Sequence, residues 1–272
     1  MIRDWILSLG MDGLGGDARQ IITLIAALLY LSAFAITFFK FKNASYISMI
    51  LWIAGTAVNA VIVLNNWIVN GYMPFVSMYQ ILTFLGVTYS LVYAFVHYLH
   101  RTDFMKPYFM VFQGILMIGV FFMGQSASEW NFPPALQSVY FIPHVFSYMI
   151  SYTLVAVAAL MCLISLFLGG EAKKKYEGGI YNLVLIGFPF MVAGMLLGAI
   201  WANACWGHFW TWDNKESWSL VTTLALAAYL HFRRQITLKR YAKAMLLLAF
   251  AFEIITLFFV GMFGGDSMHV YS

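Results

Sequence analysis

Charged side chains are scarce in this sequence. Aspartate, glutamate, lysine and arginine make up 10% of its 272 residues, whereas hydrophobic residues make up 62% and the mean hydropathy is +0.82. A soluble domain of this length has about a quarter of its residues charged. The composition therefore excludes a soluble globular protein and predicts a protein that resides in a membrane.

Two further features are missing. The sequence lacks the alternation of apolar and polar residues, over segments of about ten residues, that a membrane β-barrel requires. The two cysteines, Cys162 and Cys205, do not have the spacing of a metal site. Cys162 falls in the middle of a predicted span, so we expect no disulfide between them. These absences leave a helical membrane protein as the predicted class.

Eight apolar segments are candidates for membrane-spanning helices. A spanning helix needs about 20 mostly apolar residues, and a helix satisfies its own backbone groups within lipid. The seventh segment is short, and its limits are the least certain. The predicted spans are residues 21–39, 46–70, 78–97, 107–125, 141–168, 180–201, 217–232 and 241–262. The sequence thus predicts an all-α polytopic membrane protein with about eight transmembrane helices.

The basic residues predict an orientation and a division of the chain. Most of the 15 lysines and arginines lie in four predicted loops, which an eight-helix scheme places on one side. Basic loops face the cytoplasm, so both termini are predicted on the outer face. The net charge of +4 follows from this topology and needs no nucleic-acid partner. We predict an external lead-in at 1–20, unlike a cleavable signal peptide, a membrane domain at 21–262, and an external tail at 263–272.

Tryptophan is concentrated in one predicted external segment, residues 201–218. It holds five of the nine tryptophans, with Asp213, Lys215 and Glu216 among them. An aromatic belt is the simpler explanation, but a belt would spread tryptophans over all helix ends. The cluster favours a surface for a large, flat, apolar ligand at the membrane–water boundary. Asp213 is expected to accept hydrogen bonds from indole or backbone N–H groups and so shape the loop.

Histidines on the same predicted side offer ligands for a haem iron. His144 opens the fifth predicted span and His269 lies in the tail. Two neutral imidazoles can occupy both axial positions of a haem iron, although a single interfacial histidine is more often a solvated polar residue. His208 is expected to be structural. His231 is predicted at the inner membrane boundary, but intramembrane ionisable groups are functional candidates by default.

The predicted spans also contain a pair of glycines and one acidic residue. Gly194 and Gly198 form a small-xxx-small pair, which predicts a helix-packing contact. Glu253, in the middle of the eighth span, has no partner that the sequence identifies, and it stays a functional candidate.

The tryptophan segment resembles the WWD signature of haem-handling proteins. Its extension Lys-Glu-x-Trp-Ser-Leu is similar to the CcsA/ResC type of the System II cytochrome c biogenesis pathway more than to the CcmC type. The pattern is Trp206-Gly207-x-x-Trp210-x-Trp212-Asp213-x-Lys215-Glu216-x-Trp218-Ser219-Leu220.

Further stretches are similar to the same family, so the resemblance covers roughly residues 70–272. They are His144-Val145 with Ser151-Tyr152, Tyr229-Leu230-His231 with Arg233, and Met268-His269-Val270-Tyr271. The sequence departs from the family pattern at three places: Asn214 replaces a proline, Ser77 and Gln80 replace Asn and Glu, and Phe263–Met268 replaces a Gly-Leu run.

The resemblance implies a function in cytochrome c biogenesis. The protein would bring haem b to the outer face of a bacterial cytoplasmic or thylakoid-type membrane. With a CcsB/ResB-like membrane partner, it would form a cytochrome c haem lyase that attaches haem to an apocytochrome c carrying Cys-x-x-Cys-His. His144 and His269 would be the axial ligands and His231 an inner haem site. The haem-binding surface would comprise Trp206, Gly207, Trp210, Trp212, Asp213 and Trp218.

Two other classes of function stay open at this stage. One is a haem exporter without a ligation function, which would need no partner that delivers thiols. The other is a membrane scaffold that binds no haem, in which the tryptophans form a thickened interface belt among the surrounding lipids. Co-purification with a CcsB-like protein separates the first from a lyase subunit, and a colourless purified protein would support the second.

Overall fold

All regular structure in the described part of the chain is helical. The structure is a computed structural model, and it describes residues 16–123 and 133–259. Short 3₁₀ helices at Asp103–Met105 and Pro134–Gln137 and a π-helical turn at Ile255–Phe259 accompany the long helices. The long helices are α1 Gly16–Ile36, α2 Ala44–Asn70, α3 Met78–His100, α4 Lys106–Met123, α5 Phe141–Ser165, α6 Gly170–Trp206, α7 Asn214–Arg234 and α8 Lys239–Ile254.

Seven of the helices in these ranges are long and apolar enough to cross a membrane. The exception is α7, which carries charged side chains in both its first and its last turn. It coincides with the seventh predicted span, whose limits were the least certain, and each of the other predicted spans falls on one helix. The protein is therefore an all-α polytopic membrane protein, as the sequence predicted. The orientation of its termini stays a prediction.

The ends of the helices differ from the predicted spans because capping, and not hydropathy, sets them. α6 begins at Gly170, ten residues before the predicted start, since its lysine-rich first turns stay helical. It ends at Trp206 and is capped by Gly207, whose φ of 79° is the left-handed conformation that glycine adopts easily. At α3, Ser77 Oγ accepts a hydrogen bond from Gln80 N over 3.2 Å, and Gln80 Oε1 accepts one from Ser77 N. The two departures from the family pattern thus form a capping box.

Helices α1–α4 belong to the first of two compact units, residues 1–132. A seam of paired polar side chains runs through its interior. Ser48 Oγ donates to the carbonyl of Ala33 over 2.8 Å, and the Trp52 indole donates to the Gln113 side chain. Gln113 Nε2 in turn lies 2.7 Å from both Gly86 O and Ser90 Oγ. In lipid such bonds hold helices together where hydrophobicity cannot.

Helices α5–α8 belong to the second unit, residues 133–272. Its central element is α5, in which every residue from 151 to 159 is buried. Glu177 of α6 forms ion pairs with Arg233 of α7 at 3.8 Å and Lys243 of α8 at 3.1 Å. Lys243 also donates to Ser165 Oγ at the end of α5. The residues of the two predicted basic loops of this unit therefore meet at one end. The predicted lead-in, single membrane domain and tail stay predictions.

The glycines of α4 provide a test of the packing in the first unit. A Cβ atom at Gly114 would lie 2.4 Å from Leu31 Cδ2 and 2.7 Å from Leu31 Cγ, whereas one at Gly119 would meet nothing within 4 Å. We expect Gly114→Ala to destabilise the protein by about 1–3 kcal/mol through overpacking. Gly119→Ala, on the same helix, should leave stability unchanged or slightly raised. Thermal unfolding in detergent, followed by circular dichroism, measures both; equal melting temperatures would contradict this packing.

Candidate functional site

His144 lies in the first turn of α5 with its ring against α6. The ring nitrogen Nδ1 is 2.8 Å from the carbonyl oxygen of Gly194. A carbonyl oxygen can only accept, so Nδ1 carries the hydrogen and, in the neutral ring, Nε2 carries the lone pair. Histidines that bind metals are usually oriented by a hydrogen bond of this kind on the other ring nitrogen. The local geometry thus prepares Nε2 to act as a metal ligand.

The two glycines of α6 allow this close approach. A Cβ atom at Gly198 would lie 2.6 Å from Cε1 and 2.7 Å from Nδ1 of His144, and one at Gly194 would lie 3.1 Å from the Tyr148 ring. The predicted helix-packing contact is therefore confirmed. The structure adds that the partner across the contact is the candidate haem ligand itself, which the sequence did not indicate.

Trp201 completes the surroundings of His144, and the sequence analysis did not single it out. Its side chain is 2% exposed, and its ring is stacked on the His144 ring at 5.6 Å and 25°. Its indole N–H donates to Ala135 O over 2.8 Å, and its ring contacts Trp206 at 5.0 Å. Residues 194, 198 and 201 share one face of α6. That spacing was the signal that could have identified Trp201.

The loop between α6 and α7 is fixed by a cap at each end. Gly207 N–H donates to Asn203 O over 2.9 Å and closes α6. Asp213 begins α7, and its Oδ1 accepts hydrogen bonds from the backbone N–H groups of Lys215 at 2.7 Å and Glu216 at 3.4 Å. Asp213 thus accepts backbone hydrogen bonds and shapes the loop, as predicted. A carboxylate at this position also interacts favourably with the helix dipole.

Glu216 holds the loop from within α7. Its Oε2 accepts hydrogen bonds from Thr211 N at 2.8 Å, Thr211 Oγ1 at 3.2 Å and Asp213 N at 3.2 Å. Between these residues Trp212 adopts a φ of +60°, which is unfavourable for a bulky side chain. Its side chain is 70% exposed. The bonds of Glu216 therefore stabilise a strained backbone that displays an aromatic ring.

The other predicted tryptophans divide between two places. Trp210 packs perpendicular to Trp212, with ring centroids 5.8 Å apart, and its buried indole N–H has no hydrogen-bond partner in the part of the chain that the structure describes. Trp206 belongs to the group around Trp201. Trp218 instead packs on Phe252 of α8 at 5.5 Å. The structure thus brings Trp206 close to His144 through Trp201, whereas Trp218 contacts α8.

His231 and His208 are both exposed, and neither is part of the group of rings around His144. His231 is exposed near the end of α7, with its Nε2 2.7 Å from Gln235 Nε2. A rise of 1.5 Å per residue puts it roughly 27 Å along the helix from Asp213. His208 is exposed in the tryptophan loop. His269 lies outside the described residues, so its pairing with His144 stays a prediction.

Glu253 of α8 is connected to His144 through two tyrosines of α5. Its side chain is 4% exposed, and its Oε2 has no hydrogen-bond partner within residues 16–123 and 133–259. It interacts electrostatically with Tyr152, whose ring packs on Tyr148, and Tyr148 contacts the His144 ring at 5.0 Å. The structure thus gives Glu253 the neighbour that the sequence did not identify. The cysteines are free, as expected.

These features define a polytopic helical membrane protein with an oriented histidine beside a tryptophan-rich loop. A family model described as "Cytochrome C assembly protein" matches residues 75–265. The chain therefore belongs to the cytochrome c assembly family, and within it to the CcsA type. This confirms the resemblance found in the sequence, and the protein takes part in cytochrome c biogenesis.

Curated relatives support the assignment. The cytochrome c biogenesis protein CcsA of Trieres chinensis is 28% identical over 87% of this chain and 90% of the relative. CcsA of Guillardia theta is 28% identical over 92% of this chain and 94% of the relative. CcsA of Chlamydomonas reinhardtii is 32% identical over 63% of this chain and 53% of the relative. Similarity thus extends along nearly the whole chain.

A solved structure shares the fold. "Cytochrome c Heme Lyase CcmF" superposes with a TM-score of 0.68 at 17% identity, over 91% of this chain. The match covers 46% of that protein, so this chain spans about half of its length. At this identity the likeness concerns the fold alone.

The contact between Gly198 and His144 can be tested by a double-mutant cycle. We expect Gly198→Ala to lower stability by about 1–3 kcal/mol, because the new methyl group displaces the His144 ring. In a His144→Ala background the same substitution should have little effect, since the ring is gone. Gly178→Ala on the same helix, where a Cβ meets nothing within 4 Å, is the matched control. Additive melting-temperature changes would show that the two residues do not touch.

The bonds of Glu216 predict a second outcome. Glu216→Ala should release Thr211 and Asp213 and let Trp212 leave its strained conformation, at a loss of about 1–3 kcal/mol. Limited proteolysis should then cut within 207–213 faster than in the wild type. Glu171→Ala removes an exposed carboxylate paired with Lys174 and serves as the control, because such pairs contribute little. Unchanged cleavage in Glu216→Ala would exclude this function for Glu216.

Proposed function

We propose that this protein presents haem at the outer face of the membrane and takes part in attaching it to apocytochrome c. Membership of the cytochrome c assembly family supports haem handling in general. The observation that carries the finer proposal is the hydrogen bond between His144 Nδ1 and Gly194 O. It fixes the tautomer whose Nε2 can bind iron, beside a loop of exposed and buried tryptophans.

Haem is the substrate in this proposal, and its iron is held by two histidines. His144 supplies one axial ligand through Nε2, and His269 supplies the other. Two neutral imidazoles give a six-coordinate iron of low spin. Such ligation keeps the metal shielded until the acceptor arrives.

The tryptophans form the wall against which the porphyrin rests. Trp212, with its exposed ring, offers a face for stacking, and Trp206 extends the aromatic group around His144. The unpaired indole N–H of Trp210 is a donor for a propionate. Gly207 and Asp213 set the path of the loop through their caps. Trp218 fastens the start of α7 to α8 through Phe252.

Attachment of haem is an addition that needs no oxidant. Each thiol of Cys-x-x-Cys-His adds across one vinyl group: the sulfur bonds to one vinyl carbon and the thiol hydrogen ends on the other. The protein contributes orientation, because a vinyl group held near a thiol reacts far faster than one that is free in solution. The histidine of the acceptor then replaces one axial ligand and releases the product. A CcsB/ResB-like membrane partner supplies the external domain.

His231 is proposed to mark an inner haem site. It is exposed near the end of α7 where Arg233 and Arg234 follow, at the end of the unit where the basic loops meet. Basic side chains there can attract the propionates of haem. A histidine of the partner would complete the ligation.

The visible absorption spectrum of the purified protein tests the outer site. We expect the wild type to carry haem with a six-coordinate low-spin spectrum after reduction with dithionite. His144→Ala and His269→Ala should each lose that haem or change its spectrum, and added imidazole should partly restore the spectrum of His144→Ala. His208→Ala, also in the external segment, should match the wild type. Full haem retention and an unchanged spectrum in both single variants would refute the assignment.

The same preparations separate the alternatives. A lyase subunit co-purifies with a CcsB-like protein and yields a cytochrome whose haem stays bound on a denaturing gel. An exporter would carry haem but produce no covalent product. A colourless wild type, even with the partner co-expressed, would favour the scaffold.

A further inference from the structure

Unpaired polar groups are concentrated at one end of the first unit. They lie where α1 begins, α2 ends and α3 begins, and each of their residues is 6% exposed or less. Among the described residues, none of the following atoms has a hydrogen-bond partner: Arg19 Nε, Asn65 Nδ2 and Oδ1, Asn66 Nδ2 and Oδ1, Tyr79 Oη, and Gln80 Nε2. We call these five residues the Arg19 cluster.

The cluster contrasts with the rest of the same unit. Deeper in α1–α4, the buried side chains of Ser48, Trp52 and Gln113 and the half-buried Ser90 find partners in one another or in the backbone. A buried polar group left unpaired costs about 1–3 kcal/mol, and more if it is charged. The described part of this unit also leaves Asn59 Oδ1 and Thr102 Oγ1 unpaired, but only at this end do seven such atoms lie together. Their concentration indicates that another molecule satisfies them.

Contacts show that part of the cluster converges. Arg19 and Tyr79 interact electrostatically across α1 and α3. The side chains of Thr23 and Asn66 face the Tyr79 hydroxyl group without reaching hydrogen-bonding geometry. Thr23 Oγ1 is already committed to Arg19 O at 2.8 Å. Three helices thus turn polar groups toward one place beside the Tyr79 hydroxyl.

The chemistry of the unpaired atoms specifies the ligand. Arg19, the two asparagines and Gln80 all present N–H donors, and Tyr79 adds an O–H group. Among these unpaired atoms, only the two asparagine oxygens act solely as hydrogen-bond acceptors. Arg19 is positively charged, and none of the ion pairs among the side chains of residues 18–123 and 133–259 involves it. A donor-rich cluster with one positive charge is suited to an oxyanion.

We propose that the Arg19 cluster binds the oxyanion of an amphipathic ligand. The helix ends place it at a membrane boundary, where such a ligand keeps its apolar part in lipid. Two sources share this chemistry: a porphyrin propionate, which rests on the proposed function, and the phosphate of a lipid head group, which does not. The guanidinium of Arg19 provides the charge, and the amides and hydroxyl provide the remaining donors.

Metal-free porphyrins test the propionate source, because without iron no histidine ligation contributes. We expect the full-length protein in detergent to bind protoporphyrin IX about tenfold more tightly than its dimethyl ester, as measured by tryptophan quenching. Arg19→Gln should abolish this preference. Lys40→Gln removes one exposed positive charge elsewhere in the unit and should retain it.

Native mass spectrometry tests the lipid source on the same samples. If a phospholipid fills the site, the wild type and Lys40→Gln should retain an anionic lipid that Arg19→Gln loses. Asn66→Asp is a second variant that should stay folded, because it offers Arg19 a carboxylate beside Tyr79. It should block the ligand from either source.

The outcomes separate this proposal from the one on haem presentation. A wild type that binds neither porphyrin counts against haem presentation, and the lipid measurement then decides on the cluster. If Arg19→Gln and Asn66→Asp match the wild type in both porphyrin preference and retained lipid, the cluster is filled by water and the proposal is wrong.

Discussion

The close packing of α5 on α6 at His144 is the contact on which the candidate site depends. The missing side chain of Gly198 lets the imidazole approach the helix, and the Gly194 carbonyl then fixes the position of its proton. Trp201 covers the ring from the same face of α6. Since these constraints form as the protein folds, the nitrogen that we propose as a haem ligand is oriented in advance, which would lower the entropy lost on binding.

The shape of the tryptophan loop is set by the capping residues of the two helices that it joins, α6 and α7. Its start is set by the left-handed Gly207, and its end by the reciprocal bonds of Asp213 and Glu216. The two acidic residues of the signature, Asp213 and Glu216, are therefore structural in the first instance: they satisfy the backbone of the loop and of α7. What remains for a ligand is the exposed ring of Trp212 and the indole N–H of Trp210. Strain of this kind is typical of functional loops.

Hydropathy predicted every long helix but not their ends, because lysine-rich turns stay helical and capping residues decide where a helix stops. The signature identified the loop, but the bonds from Glu216 to Thr211 depend on a backbone path that residue order does not specify. Trp201 could not be identified from the sequence for a similar reason, because its importance comes from stacking on the His144 ring, which only folding brings near. The Arg19 cluster could not be predicted, since burial and the absence of partners are tertiary properties.

Within a membrane, buried polar atoms that are paired inside the chain indicate helix packing, whereas buried polar atoms left unpaired indicate a binding site. The seam through α1–α4 is satisfied internally and so needs nothing beyond the chain. The Arg19 cluster and Trp210 instead leave donors unpaired, and both therefore favour an acceptor with negative charge. Glu253 is the opposite case, an unpaired carboxyl group beside Tyr152, which would repel an anion when ionised. Anionic groups are thus expected at the ends of the helices, whereas an ionised Glu253 would disfavour them in the interior of the second unit.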